Sequence, residues 1–256
     1  MTEILNVEHI IQKYQADNGE IIAVDDISFS VGEGEIVSIV GPSGSGKSTV
    51  LSIIAGLLKP TYGRILIKGN EVEGICSEIG YMLQKDYLLE WRNIYKNVIL
   101  GLEIQKKRTP ENLEYVDRLL RVYGLEEFKQ KFPSQLSGGM RQRAALIRTL
   151  AVNPDVLLLD EAFSALDYQT RIVVTEDVYK ILKNERKTTL MVTHDISEAI
   201  SMSDRIIVFT ERPSKIKAIY SIDFDMENRT PISSRNHPKF REYYNTIWKE
   251  LDVHVT

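Results

Sequence analysis

Apolar and polar positions along the chain alternate between two periods. Short apolar runs at Ile36–Val40, 156–159 and 190–193 are each followed by a helix-length segment, opening near Lys47, Thr170 and Ile196. Strands alternating with helices in this way predict an α/β fold with a largely parallel sheet. Ahead of them, Ile27, Ser28, Phe29, Ser30 and Val31 alternate strictly before Gly32, Glu33 and Gly34. That pattern predicts an antiparallel strand and a turn, so the sheet is expected to be mixed.

Between residues 84 and 136 the strand signal fades. Leu113, Val116, Leu119, Leu120 and Tyr123 recur at helical spacing, with Pro110 suited to open the helix and Gly124 to close it in a left-handed cap. A helical lobe inserted into the α/β core, at about residues 85–150, is the expectation. Past Tyr220 a polar connection leads to Phe240, Tyr243, Tyr244, Ile247, Trp248 and Leu251, which share one helix face. Packing against the core is the plain expectation for that stripe, and a docking face for a partner is the other. The expected division is therefore a main domain over residues 1–220 and an extension over 221–256.

A length of 256 residues suits one large domain or one domain with an inserted lobe. Apolar residues at 43% and charged residues at 27% are ordinary globular values. Thirty-two Lys and Arg against thirty-six Asp and Glu give a net charge of -4, which supplies no general field for nucleic acid or an anionic membrane. Bound phosphate must then be held locally. Cys76 is a single cysteine and cannot form an intramolecular disulfide, which fits a reducing compartment. The first nine residues are interrupted by acids and lack the form of a secretory signal. Apolar stretches such as 53–58 and 156–159 fall far short of the ~18 to 20 residues that cross a bilayer as a helix. The chain is expected to stay inside the cell and to have no membrane span of its own.

Gly41, Pro42, Ser43, Gly44, Ser45, Gly46, Lys47, Ser48 and Thr49 follow an apolar strand and open a helix, the context required of a phosphate-binding loop of pattern G-x-x-x-x-G-K-[ST]. The glycines permit unusual dihedrals and close approach, so successive amides can point at phosphate oxygens at the positive end of the helix. Lys47 can reach the β and γ phosphates, and the Ser48 hydroxyl can ligate Mg²⁺. The strand at 156–159 ends in Asp160 and Glu161, and ligands of open α/β sheets bind off the carboxyl ends of strands. Asp160 is placed to hold Mg²⁺, and Glu161 is a candidate general base for the water attacking the γ phosphate. Two acids after a strand are by themselves more often a helix cap and first-turn charge; the phosphate loop makes the catalytic reading the better one. Ser137, Gly138 and Gly139 precede an apolar-striped helix through Leu150, so Ser137 can cap it while the glycine amides offer a second anion site.

Three further pieces accompany these: Gln84 after the apolar run 79–83, the sequence Ser164, Ala165, Leu166, Asp167 just beyond Glu161, and His194 after the run 190–193. With them, residues from about 4 to 212 resemble the ATP-binding subunits of ATP-binding cassette (ABC) transporters, with six motifs in family order. The fold implied is a phosphate-loop ATPase core with a mixed, largely parallel sheet, an antiparallel β subdomain and an inserted helical lobe. The resemblance implies that Tyr14 stacks on adenine, that Gln84 reaches Mg²⁺ or the attacking water, and that His194 contacts the γ phosphate. It implies that Ser137, Gly138 and Gly139 bind ATP held by another subunit, with Asp167 in the aspartate loop beside them. One loop and one signature per chain then call for an ATP-bound homodimer, arranged head to tail.

The segment Leu88, Leu89, Glu90, Trp91, Arg92, together with Glu211, Arg212, Pro213 and Ser214, is similar to the importer ATPases for nitrate, sulfonates, taurine, bicarbonate and thiamine precursors. Glu90 departs from that group, where proline is usual before the tryptophan. The resemblance implies a peripheral subunit on the cytoplasmic face of the cell membrane. It would work with two transmembrane permease subunits and, indirectly, an extracytoplasmic solute-binding protein. A soluble ABC-type ATPase acting on DNA or the ribosome is the alternative, against which stand the acidic balance and the lack of long coiled-coil insertions. A phosphate-loop kinase would leave the signature and His194 unexplained.

Overall fold

The computed structural model of the protein describes residues 2–16 and 19–251, so Met1 and the last five positions of the expected extension lie outside the described residues. β1 (Glu3–Ala16) and β2 (Gly19–Gly32) form a long antiparallel pair, and β3 (Ile36–Val40) runs through the phosphate loop into α1 (Lys47–Ile54). β4 (Tyr62–Ile67) and β5 (Asn70–Glu71) return to the other edge of β1, giving an antiparallel sheet of order β2-β1-β4-β5. After β6 (Ile79–Met82) come the lobe helices α2 (Ile94–Val98), α3 (Leu100–Ile104), α4 (Pro110–Val122) and α5 (Gly138–Leu150). The chain then alternates through β7 (Val156–Asp160), α6 (Tyr168–Asn184), β8 (Thr188–Val192), α7 (Ile196–Met202) and β9 (Arg205–Phe209). It closes with β10 (Ile216–Ser221), α8 (Pro231–Arg235) and α9 (Pro238–Glu250).

The second sheet has the order β10-β9-β3-β8-β7-β6; its strands run parallel except β10, which pairs antiparallel with β9. Its central strands are mostly apolar because both of their faces are covered. Val156 and Leu158 of β7 enter the cluster beneath the antiparallel sheet, whereas Leu157 and Leu159 enter the cluster shared with the lobe helices. Each such fully buried leucine contributes about 1.5–3 kcal/mol of transfer free energy. The α/β class and the mixed sheet anticipated above are the observed ones. The antiparallel strand read at Ile27 to Val31 is longer than its alternation suggested, because β2 begins at Gly19.

In the lobe, α4 starts at Pro110 with Thr109 as its cap, accepting from Asn112 N at 3.3 Å. It ends as Gly124 turns left-handed at φ 71° and Leu125 N donates to Leu120 O at 2.7 Å. No helix among the described residues is long and apolar enough to cross a membrane.

The stripe on α9 packs inward. Ile247 is fully buried with Phe224, Ile222 and residues of α7 and β9, while Trp248 stays partly exposed and stacks on Tyr244 at 5.9 Å. Arg229 fastens the segment before α8 to the core, donating to the carbonyls of Ile200 and Ser203 at 2.8 Å each. This packing encloses Glu198 of α7, which is 2% exposed. Burial, seconded by the Asp195 charge, pushes its carboxyl up to about 8, against the opposing pull of Thr193, Arg171 and Arg235. The native carboxyl therefore keeps its proton where an unfolded glutamate has lost it. This contribution to stability is whole below the unfolded value of 4.5 and is lost as pH rises through about 8. Glu198→Gln, which mimics the protonated acid, is expected to flatten the decline in melting temperature between about pH 5 and pH 8. Parallel pH-melting curves for variant and parent check this, and superimposable slopes would contradict it.

Candidate active site

Parallel pairing of β3, β8 and β7 sets their carboxyl ends side by side, and Asp160 lies in register with Val192. From this edge emerge the phosphate loop, the pair Asp160 and Glu161, and the turn that bears His194. They face a cleft of about 650 Å³ lined by Tyr14, Ala23, residues 43–49, Glu161, His194 and Arg212.

The loop's shape follows from its glycines. Gly44 and Gly46 stand at φ 76° and 83°, the left-handed region that side chains disfavour. A Cβ on Gly46 would sit 3.0 Å from Val24 Cγ2, so this position also needs the missing side chain for space. Gly46 ends the loop as the cap residue of α1, and the first residues of that helix line the cleft. Lys47 is folded beneath the loop, where Nζ donates to the carbonyls of Gly41 at 2.9 Å and Pro42 at 2.8 Å. Burial lowers the affinity of its amine for a proton, and the carboxylates of Glu161 and Asp160 counteract that.

Opposite the lysine, Ser48 Oγ donates to Asp160 Oδ1 at 3.1 Å and Tyr81 Oη donates to Asp160 Oδ2 at 3.1 Å. Burial raises the Asp160 carboxyl despite these two donors. A half-buried carboxylate beside a hydroxyl is a hard-oxygen pair suited to Mg²⁺, whose charge would offset that desolvation. Ser48 and Asp160 therefore fit the ion. Gln84, the third ligand expected, points elsewhere: its Nε2 donates to Glu161 Oε2 and to Ser164 Oγ, at 3.2 Å each.

Glu161 itself is held at φ 47°, unusual for a residue with a Cβ and the kind of local strain that gathers at functional positions. Its backbone N donates to Val192 O at 2.8 Å, and His194 Nδ1 lies 3.3 Å from its Oε2. The candidate base thus sits between Gln84 and His194 on the wall of the cleft.

Two predicted pieces lie apart. Ser137, Gly138 and Gly139 do not line this cleft. Ser137 caps α5 by accepting from Met140 N at 3.4 Å, and Gly138 lines a separate hollow with Gln84 and Leu166. Asp167 caps α6, accepting from Thr170 N at 3.1 Å, and these helix-start donors lower its carboxyl.

The structure also brings in residues that sequence reasoning passed over. Arg212 donates through Nε and Nη2 to Gly44 O at 3.2 and 2.9 Å, gripping the tip of the loop from the far side of the cleft. Its signal was limited to the family-like run around Pro213; nothing in the spacing links residue 212 to residue 44. Tyr81 is visible only as one position of the β6 strand. Asp86 and Arg141 form a two-toothed pair at 2.9 and 3.1 Å, joining the segment after Gln84 to the signature helix α5. Although burial would raise the Asp86 carboxyl, this guanidinium and the Leu88 amide hold it below its ordinary value. Glu90, the departure from the usual proline, adds a second contact to Arg141 at 3.0 Å. Arg148 Nη2 and Nη1 donate to the carbonyls of Asp86 at 2.6 Å and Tyr87 at 2.7 Å.

Comparison with known families places residues 24–164 within the one described as ABC transporter. The chain belongs to the ABC transporter family. An uncharacterized ABC transporter ATP-binding protein, YtlC of Bacillus subtilis (strain 168), is 48% identical over 97% of this chain and 95% of its own length. Taurine import ATP-binding protein TauB of Jannaschia sp. (strain CCS1) is 40% identical over 95% of this chain and 92% of its own. Among solved structures, the dimeric bacterial ABC transporter cassette MJ0796 superposes with a TM-score of 0.73 at 32% identity, covering 86% of this chain and 99% of that one. A post-hydrolysis form of the same cassette, bound to ADP and Pi, aligns with a TM-score of 0.72. The chain is therefore an ABC ATPase cassette that binds and hydrolyses ATP.

Lys47 is the buried cation of this ABC cleft, and its Nζ has carbonyl partners that phosphate oxygens can replace. Lys47→Ala is expected to weaken ATP binding by about 10- to 100-fold, the loss of one charge-assisted hydrogen-bonding group. Calorimetric titration measures this directly, and an unchanged Kd would refute the placement.

Proposed function

We propose that this cassette is the energy-coupling subunit of an importer for a small solute, of the nitrate, sulfonate, taurine or thiamine-precursor kind. ATP binding closes a head-to-tail homodimer on two permease subunits, and hydrolysis reopens it. The observation that carries the reading is that one chain presents two glycine-bearing helix starts, those of α1 and α5, which do not share a cleft. Ser137, Gly138 and Gly139 need an anion that their own chain's loop does not offer, and a second copy supplies it. The dimeric form of the structurally similar cassette supports this, and near-full-length kinship with taurine import ATP-binding proteins supports the importer branch. A solute-binding protein outside the cell completes such an importer.

In the cleft, the amides of residues 43–49 and the Lys47 ammonium bind the phosphate chain, and Tyr14, 41% exposed at the mouth, offers its ring to the adenine. Ser48 and Asp160 would hold Mg²⁺, which would supply positive charge to the phosphate chain. Glu161 accepts a proton from the attacking water, Gln84 orients that water, and His194 keeps the carboxylate turned toward it while reaching for the γ phosphate. With the terminal phosphate cut away, the charge bridging the two copies is gone and the dimer loosens. Trp91 is 76% exposed rather than packed into the lobe, which favours a face beside the permease subunit.

Glu161→Gln is expected to lower ATP turnover by about 10²- to 10⁴-fold, the share of a general base, while leaving an ATP-trapped dimer. Steady-state hydrolysis and sedimentation with ATP test both halves, and retained hydrolysis would remove Glu161 from that role. Ser137→Arg is expected to leave nucleotide binding by the single chain nearly intact and to block ATP-dependent dimerisation. A dimer that sediments as before would count against the shared site.

A further inference from the structure

Arg171, on the first turn of α6, was singled out by no motif, yet it touches both loops that flank Glu161. Its Nη2 donates to the carbonyls of Ser164 at 3.3 Å and Leu166 at 2.8 Å, and its Nη1 lies 3.4 Å from Asp195 Oδ2. The side chain is only 21% exposed. Asp195 follows His194 directly, and Ser164 Oγ is the second acceptor of Gln84 Nε2. Tracing the contacts gives a closed ring. Arg171 holds Ser164, Ser164 meets Gln84, Gln84 meets Glu161, Glu161 meets His194, and the chain passes from His194 to Asp195 and back to Arg171. Every member except Arg171 and Asp195 has been met above as part of the nucleotide site or its adjoining loop.

We propose that Arg171 is a positioning residue for ATP hydrolysis, whose guanidinium fork spans the 164–166 turn and the Asp195 carboxylate and so fixes Gln84 and His194 on either side of Glu161. A planar fork with several donors suits this bridge, since it serves two carbonyls with one arm and a carboxylate with the other. An ammonium group is a point charge on a flexible stem and cannot hold both at once. The role rests on the reading of Glu161 as the base. It concerns the chemical step, because Arg171 does not line the cleft.

Asp195 gives a discriminating variant. Its Oδ1 caps α7 by accepting from Ser197 N at 2.8 Å and Glu198 N at 3.2 Å, while Oδ2 faces Arg171. Asp195→Asn keeps an oxygen for the cap and removes the charge that Arg171 meets. With the full chain, Asp195→Asn and Arg171→Lys are each expected to lower kcat for ATP by about 10- to 100-fold, the cost of a misplaced catalytic group. KM for ATP and Tm should stay near those of the parent. Combined, the two should cost no more than the worse single variant, because both break one link. Unchanged kcat in both variants would overturn the proposal, as would a fall in kcat that follows a fall in Tm, or a change confined to KM. Glu161→Gln measured alongside separates the two readings. If it is inactive while Asp195→Asn and Arg171→Lys are normal, only the positioning role fails; if it still turns over, the base assignment fails and the positioning role with it.

Discussion

The arrangement that everything else in the molecule depends on is the parallel adjacency of β3, β8 and β7. Three apolar strands, buried on both faces, deliver three loops to one edge of one sheet. The lysine of the first loop, the acids at the end of β7 and the histidine after β8 are brought to one edge only because of that order, with His194 Nδ1 at 3.3 Å from Glu161 Oε2. Burying charged groups at this edge disfavours their ionised forms, and the unlike charges gathered there offset part of that. Burial lowers the Lys47 amine and raises the Asp160 carboxyl, and each is partly relieved by the other. Lys47 is already desolvated beneath the loop, but its amine is engaged with the Gly41 and Pro42 carbonyls and must exchange them for any anion it binds.

The same edge carries left-handed backbone at Gly44, Gly46 and Glu161. Gly44 and Gly46 adopt left-handed conformations at little cost, but Glu161 does so with a full side chain. The rigid strand behind it and the bond from its amide to Val192 O hold it there. Glycine would relax that turn and would also remove the carboxylate, so the conformation belongs with the chemistry.

Much of this was legible before any coordinates. Short apolar runs separated by helix-length segments carry the α/β class, and the Gly41 to Thr49 pattern carries the loop, because both depend on local spacing. The start of α4 at Pro110 and its end at Gly124 were legible for the same reason. Contacts between residues distant in sequence were not. Nothing in the sequence pairs Arg212 with Gly44, Tyr81 with Asp160, or Arg171 with the turns at 164–166 and 195, since these depend on sheet order and helix placement. Glu198 reads as an ordinary helix acid in the sequence, and its enclosure follows from α8 and α9 folding back over α7. Gln84 was named as a candidate metal ligand, but its partners here are Glu161 and Ser164, an arrangement that a residue type alone does not encode.

Asp86, Glu90, Arg141 and Arg148 form a strap between the segment after Gln84 and the helix that begins at Ser137. Two teeth of one guanidinium on one carboxylate resist rotation as well as separation, so a displacement of the strap must carry α5 with it rather than slide past it. Partial burial also keeps the central pair under weak ionic screening. The segment after Gln84 and the start of α5 are thus keyed to each other through one partly buried ion pair, and that link should survive at the salt content of a living cell.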